Sequence, residues 1–538
     1  MTTHQSLALG FFIAIGLAVS VCGERFEVTN AQQLIELLDV SKTNNFDANI
    51  VLLDDLDFSD SSLTRPFGAS SDCSSCVSYT GVFEGNGHAI KGLVMNNGCT
   101  NVGLFCGLNS ATVENLVIDP SCSFSGNSVG ALCYTVAGSS FITNVTNKAD
   151  VSGGNGVGAF IGAIGGLNQK VEVTFKNCVN DGKITGYHVG GFVGNVEKNK
   201  DLTMSFYDSN NNGNVTGTGY RAGFIAMVNA NNLAVFTISN CTNNGHITGS
   251  GNYVAGFIGY IFSNSDITVT LSRIENNGLV TGNLYLGGLL GGVDSNSAIN
   301  VSISNSVNTG GVSGEAITAG LVGSILPASG SNKNIFDIIN SANKGVVSSG
   351  YGSSGFFNFA QTLSPYTLSV INSINKGNIY GGSFTYGIAE VITNAKNVVS
   401  MGRASSYTFW RIYGTVELFY GLDGQCSSCP GDTRLFVHNT STGFYDVVES
   451  GEHVHDLLNA EAKKQNYGMF WTEDLELVES LVEPSPSPSL LPSYPSAPSF
   501  SSTPSSQSGG LSDGNKHGVS LLWVGVVVAL AAHVAMAQ

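Results

Sequence analysis

One short pattern returns at a nearly constant interval between Asn147 and about Ile392, and it limits the fold more than any other property of the chain. Its clearest copy reads Asn180-Asp181-Gly182-Lys183-Ile184-Thr185-Gly186, followed by Val189-Gly190-Gly191-Phe192-Val193-Gly194. The first glycine recurs as Gly182, Gly213, Gly245, Gly278, Gly310, Gly345 and Gly377, in steps of 31, 32, 33, 32, 35 and 32 residues. Two positions before it stand Asn180, Asn211, Asn243, Asn276, Asn308, Asn343 and Asn375, with Asn147 one step above. An apolar position downstream recurs as Phe160, Phe192, Phe224, Phe257, Leu289, Leu321 and Phe356. A fixed period of this length marks a stacked repeat protein, in which each unit buries its apolar face only against its neighbours.

Each repeat holds three strand candidates, Val171–Phe175, Lys183–Thr185 and Gly191–Val196, rich in β-branched and aromatic residues and bounded by glycine. Three short strands in about 32 residues suit one coil of a parallel β-helix. Nine to eleven coils at about 4.8 Å each give a rod on the order of 50 Å long. Stacking sets equal positions of successive repeats above one another, so the Asn180 column is expected to form an inward ladder of amides that bond each other and the backbone. The competing reading is that Asn and Gly stand there because both favour tight turns. Phe192, Gly194 and Val196 alternate large, small, large, as an interior face should. Val193, Ile225, Ile258 and Leu290 make a second apolar face, which a loop must cover or which stays sticky.

Upstream of the repeats, Thr29 with Gln32 suggests a capping box, and Leu34, Ile35, Leu37 and Leu38 recur at helical spacing. This helix and a strand over 48–58 read as a cap, since the end of a stacked sheet exposes unpaired N–H and C=O groups. Then come Thr80-Gly81-Val82-Phe83-Glu84-Gly85-Asn86-Gly87-His88-Ala89-Ile90-Lys91-Gly92-Leu93, Asn101-Val102-Gly103-Leu104-Phe105-Cys106-Gly107 and Ala111-Thr112-Val113-Glu114-Asn115-Leu116. This run resembles the opening of GLUG-type repeat domains, with Glu84 where Asp is commoner, and the likeness extends over roughly residues 25–400. The resemblance implies an all-β, right-handed parallel β-helix similar to those of adhesins and pectin-degrading enzymes, and a secreted or surface location. It implies no particular reaction.

The period is lost past about Ser400. Tyr407–Tyr420 reads as strands and His455–Gln465 as a short helix, and Trp471 with the apolar run to Val482 is expected to close the bottom of the rod. Between Glu483 and Gln507 fall seven of the chain's 12 prolines, interleaved with serine, as in an extended stalk. Residues 7–21 form an apolar run too short to span a bilayer, followed by small residues, which reads as a secretory signal peptide. Residues 519–537 form an apolar tail preceded by Ser508-Gly509-Gly510 and a polar spacer, a pattern that suits a glycosylphosphatidylinositol (GPI) anchor attached at Ser508, with Ser512 and Gly514 as neighbours in contention. The expected layout is 1–23 signal, 24–80 cap, 81–400 β-helix, 401–482 second cap, 483–507 stalk and 508–538 anchor signal. The expected location is the cell surface, on the outer leaflet of the plasma membrane.

Of the eleven cysteines, Cys73 with Cys76 and Cys426 with Cys429 are expected to form local disulfides. Cys106 with Cys133 and Cys99 with Cys122 are expected to complete the set. Cys178 and Cys241 lie two coils apart, beyond the ~7 Å that a disulfide tolerates between Cα atoms, and are expected to be free and buried. Sequons stand at Asn144, Asn214, Asn240, Asn300 and Asn439. Asn144 and Asn240 occupy one column, expected to be shielded.

Groups able to do chemistry are sparse. No Asp column recurs on the coils. Asp54-Asp55-Leu56-Asp57 reads as a solvated loop, His453-Val454-His455 lacks a third metal ligand, and His88 reads as structural. No cofactor, metal site or catalytic set is expected. A net charge of −17 argues against nucleic acid, whose phosphates need Lys and Arg. The expected function is adhesin-like binding of an extracellular protein or glycan, with the GPI lipid holding the chain to the membrane. The alternatives are a carbohydrate-active β-helix enzyme (a lyase or hydrolase) and a passive coat component.

Overall fold

The computed structural model describes residues 24–478 apart from short segments (40–44, 62, 96–98, 166–169, 198–200, 231, 328–333, 361–365, 390, 393, 401–410, 413–415, 423–434, 440–443, 449–453, 468 and 472–476). The signal, stalk and anchor segments, Ser508, Cys426 and Cys429 lie outside the described residues, as does the side chain of Asn439.

The described chain is a parallel β-solenoid, and two of its sheets each run through ten strands, one per coil. A coil holds five short strands instead of the three expected. In one coil these are Val171–Lys176, Val179–Asn180, Ile184–Gly186, His188–Gly190 and Val193–Glu197. Each pairs in register with its counterpart one coil away, for example Phe175 with Phe206 and Asn180 with Asn211. One of the extra breaks comes from a corner that the strand pattern hid. After the longest strand the chain turns through a left-handed residue at Asn144, Asn177, Asp208, Asn240, Arg273, Asn305, Asn340 and Asn372, with φ between 49° and 54°. Asn and Asp tolerate that region better than other side chains.

The core is built from stacked columns. Phe160, Phe192, Phe224 and Phe257 lie face to face at 4.9, 4.5 and 4.8 Å between ring centres. Phe175 and Phe206 stack at 4.8 Å beside them and meet Phe192 edge-on. The second apolar face is buried too: Val193, Ile225, Ile258 and Leu290 are fully enclosed. No added loop is needed, because the chain's own adjacent strand covers it. A Cβ on Gly194 would lie 2.2 Å from the Val157 nitrogen.

The Asn column is a ladder. Asn147 Nδ2 donates to Asn180 Oδ1 at 2.9 Å, and the same bond repeats down to Asn375 at 2.7–2.8 Å. The second N–H of each amide donates to the carbonyl two residues on, such as Gly213 O from Asn211 at 3.0 Å. All eight amides are fully buried. The glycines beside them follow from this. A Cβ on Gly213 would sit 1.9 Å from Gly182 O, and one on Gly223 would sit 2.4 Å from Asn243 Oδ1. Amide and glycine columns are therefore one device, and the turn-preference reading is too weak on its own. Two residues before the ladder, Ser209, Ser306, Ser341 and Ser373 accept from a backbone N–H of the coil above. Cys178 and Cys241 share this column, buried and free, and Cys241 Sγ accepts from Ser209 N. Burial pushes both thiols up to about 12.

The ends differ from expectation. The first helix is Ala31–Leu37, capped by Asn30, whose Oδ1 accepts from Gln33 N at 3.0 Å. The cap is therefore Asn30, one residue beyond the expected Thr29, Gln33 Oε1 accepts instead from Thr29 N at 2.8 Å, and only Ala31, Leu34 and Leu38 are buried. The strand foreseen over 48–58 is two strands, Asn49–Leu52 and Leu56–Asp57. Arg25–Val28 pairs with Asn49–Leu52 as the first rung.

At the other end the sheet is prolonged by Val416–Leu422, then by antiparallel Leu435–Asn439 and Phe444–Val448. Trp471 does not close the bottom. It lies on the flank, fully buried, its Nε1 donating to Asn340 Oδ1 at 2.7 Å, and Asn459 of the helix Val454–Gln465 clasps its backbone. The left-handed corner offers side-chain amides on the surface, and the returning chain uses them.

The disulfides are Cys73–Cys99 and Cys76–Cys106, with Cα atoms 5.4 and 5.8 Å apart. The expected Cys73–Cys76, Cys99–Cys122 and Cys106–Cys133 pairs are thus corrected. A tight loop, closed by bonds between Ser70 N and Ser75 O and between Val77 N and Gly68 O, turns Cys73 and Cys76 toward the first full coil. Cys133 pairs in register with Phe105, one residue off Cys106. An offset of one residue turns a side chain to the opposite face, and Cys133 points into the core. Cys122 and Cys133 are free and buried.

Candidate binding face

The regular columns leave one stretch of the rod that breaks their rules. It follows the strands His188–Gly190, Arg221–Ala222, Val254–Ala255 and Leu286–Gly287 on four successive coils. Tyr220, Tyr253 and Tyr285 follow His188 at steps of 32, 33 and 32 residues, and Tyr187 and Tyr260 flank them. His188 and Tyr220 stack at 4.8 Å and 9°. Tyr253 and Tyr285 stack at 4.7 Å, and Tyr253 and Tyr260 lie 4.2 Å apart. Tyr187 leans on His188 at 4.4 Å and is 47% exposed. The ring centres are too close to leave an aromatic cage for a cation between them. What results is a continuous strip in which Tyr187, Tyr220, Tyr260 and Tyr285 keep an edge in solvent and Tyr253 is buried among them.

Burial sets the electrostatics of the strip. The His188 imidazole is pushed down to about 4 by burial, so it is neutral near pH 7. Its Nδ1 accepts from Tyr220 N at 3.2 Å, which places the proton on Nε2. Burial raises the phenols of Tyr220, Tyr253, Tyr260 and Tyr285, and the nearby Asp294 raises Tyr253 and Tyr260 further. Tyr260 donates to Asp294 Oδ2 at 3.3 Å, and burial raises the Asp294 carboxyl.

Two further departures sit in the same place. Tyr253 and Tyr285 have φ of 53° and 58°, a strained backbone for bulky side chains. Arg221 stands in register with Val189 and Val254, yet is completely buried. Its guanidinium donates to Gly217 O and Gly219 O at 3.0 Å and to Thr281 O at 3.1 Å, while Nε has no partner. Burial lowers it to about 10. Arg221 thereby ties its own turn to the turn two coils on, beneath the tyrosines. A buried cation held by carbonyls alone is costly. Local rules broken together in one place point to a functional site.

The residues singled out from the sequence lie elsewhere. Asn144, Asn214, Asn240 and Asn300 are all exposed, so the shielding expected for Asn144 and Asn240 is corrected: the left-handed corner turns them outward. Asn144 Nδ2 bonds Asn115 and Asn240 Nδ2 bonds Asp208. Asp55 pairs with Lys91 and lies 3.4 Å from His88 Nδ1. Among the described residues no three His, Cys, Asp or Glu side chains converge as metal ligands.

One carboxyl pair was missed. Glu84 and Glu114 are neighbours in register on adjacent coils, and the Glu114 carboxyl is raised by burial first and by the charge of Glu84 second. Glu84 lines an open trough of about 520 Å³ with Arg25, Asn49, Val51 and Val82. The aromatic strip was also missed, although the spacing of His188, Tyr220, Tyr253 and Tyr285 repeats the period already found. Comparison of the chain with protein-family models, curated proteins and solved structures gives no match.

Proposed function

We propose that the chain is an extracellular, GPI-anchored surface protein of the GLUG-repeat kind that binds, adhesin-like, through the Tyr187–Tyr285 flank. The observation that carries the binding role is the aromatic strip. Six rings gather on four coils of a rod whose other columns consume their own hydrogen bonds, and Tyr is enriched where proteins bind. The address is supported by the two disulfides, which belong to oxidising compartments, and by the apolar ends and Pro/Ser stalk of the sequence. Binding is preferred to catalysis because what recurs from coil to coil on this side of the rod is aromatic surface and not carboxylates.

Two experiments test this. Phospholipase C treatment of intact cells is expected to release the protein, and retention in the membrane would refute the anchor. Cells displaying the full chain are expected to adhere to neighbouring cells or matrix, with adhesion lost on combining Tyr187→Ala and Tyr220→Ala. Adhesion indifferent to those changes would refute the binding face.

A further inference from the structure

The binding face proposed above carries information about its ligand, and the inference here rests on that reading. Charge comes first. Arg221, the cation of the strip, is sealed from solvent, and Asp294 is the nearest carboxylate. With a net charge of −17 on the chain, an anionic ligand meets overall repulsion.

Size comes second. Four coils span about 14 Å at ~4.8 Å per step, so a strip one ring wide covers on the order of 100 Å². A stable globular partner buries roughly 800 Å² per side. The strip is long and narrow, which fits a chain and not a globule.

Periodicity comes third. The rings recur at every coil, about 4.8 Å apart, whereas side chains on one side of an extended peptide recur at about 6.8 Å. The coil step is instead close to the advance of one pyranose unit in an extended glycan. Beside the rings, Thr185, Thr216, Thr248 and Thr281 form a part-exposed hydroxyl column, with Thr216 and Thr248 oxygens 3.3 Å apart. Apolar ring surface edged by hydroxyls suits sugars, which offer C–H faces and O–H rims.

We propose that the Tyr187–Tyr285 flank binds a linear, uncharged polysaccharide laid along the rod axis, about one sugar unit per coil. Tyr187, Tyr220, Tyr260 and Tyr285 supply the apolar contact, the buried Tyr253 backs them, and the threonine column supplies hydrogen bonds.

The test is calorimetric titration of the purified full chain with neutral hexasaccharides (β-1,4-glucan, β-1,3-glucan, β-1,4-mannan and chitin oligomers), with polygalacturonate and heparin as anionic arms. At least one neutral series is expected to bind, with affinity rising with length to about four units and then levelling. Tyr187→Ala is expected to weaken binding about tenfold with no change in melting temperature. Tyr187→Phe is expected to retain most of the affinity, and Thr237→Ala on the opposite sheet all of it. Binding of only the anionic polymers would overturn the proposal, as would affinity independent of length or of Tyr187. If no neutral glycan binds but the tyrosine variants still abolish cell adhesion, the glycan is wrong and the binding face stands. If adhesion is also unchanged, both fail.

Discussion

The amide ladder and the aromatic flank are made the same way, by setting equal positions of successive repeats over one another, and they end in opposite states. In the ladder each Asn gives one N–H to the next amide and the other to a carbonyl of its own coil, so nothing is left for an outside partner. On the flank, stacking satisfies the ring faces and leaves the edges of Tyr187, Tyr220, Tyr260 and Tyr285 at least partly in water. The ladder keeps one residue type for eight coils. The flank is confined to four and needs left-handed tyrosines and a buried arginine. A column that closes on itself builds the rod, and a column that stays open is free to recognise something.

The largest effect is expected in the ladder. Asn243→Leu orphans the Asn211 N–H and the Asn276 oxygen and presses on Gly223, so unfolding free energy by denaturant titration should fall by about 4 kcal/mol or more. Reduction of the two disulfides comes next, at about 3 kcal/mol, and it should be local. Hydrogen exchange is expected to rise around Tyr79 and Phe105 while the amides near Asn243 stay protected. Equal loss of protection along the rod would contradict independent nearest-neighbour coupling.

The flank and the first coils, where Glu114 lies, should also differ in their response to pH. His188 is lowered from 6.5 to about 4 by burial, so the folded state binds fewer protons than the unfolded chain there. Its contribution is present above pH 6.5 and is lost as pH falls toward 4, an effect of about 3 kcal/mol that His188→Phe should remove. Glu114 has the opposite sign: its carboxyl is raised, so its contribution is present below the ordinary carboxylate range and is lost as pH rises through the raised value. Glu114→Gln should therefore flatten the profile on that side. Smallest of all is Tyr187→Ala, 47% exposed, expected to change stability by under about 0.5 kcal/mol while impairing adhesion.

Much of the fold was legible because stacking turns a sequence period into a spatial column. Asn180, Gly182 and Phe192 showed the coil, its ladder and its core. The left-handed corner at Asn177 was hidden, since its column admits Asp208 and Arg273 as readily as Asn. Cysteine pairing was misread because Cys106 and Cys133 differ by one residue in register, and a step of one changes the face entirely. Trp471 was placed at the bottom on sequence order alone, and the amides it bonds, Asn340 above all, belong to a different column from the ladder. The flank was overlooked for another reason. Its rings keep the period for only four coils, too few to stand out beside a pattern that runs through most of the chain.

The central claim is that equal positions of adjacent repeats are energetic partners. A double-mutant cycle tests it directly: Asn211→Ala and Asn243→Ala, singly and together, against Asn211→Ala with Asn343→Ala four coils away. Adjacent rungs are expected to couple by about 1–3 kcal/mol and the distant pair to add within about 0.5 kcal/mol. Equal coupling in both cycles, or none in either, would contradict the account.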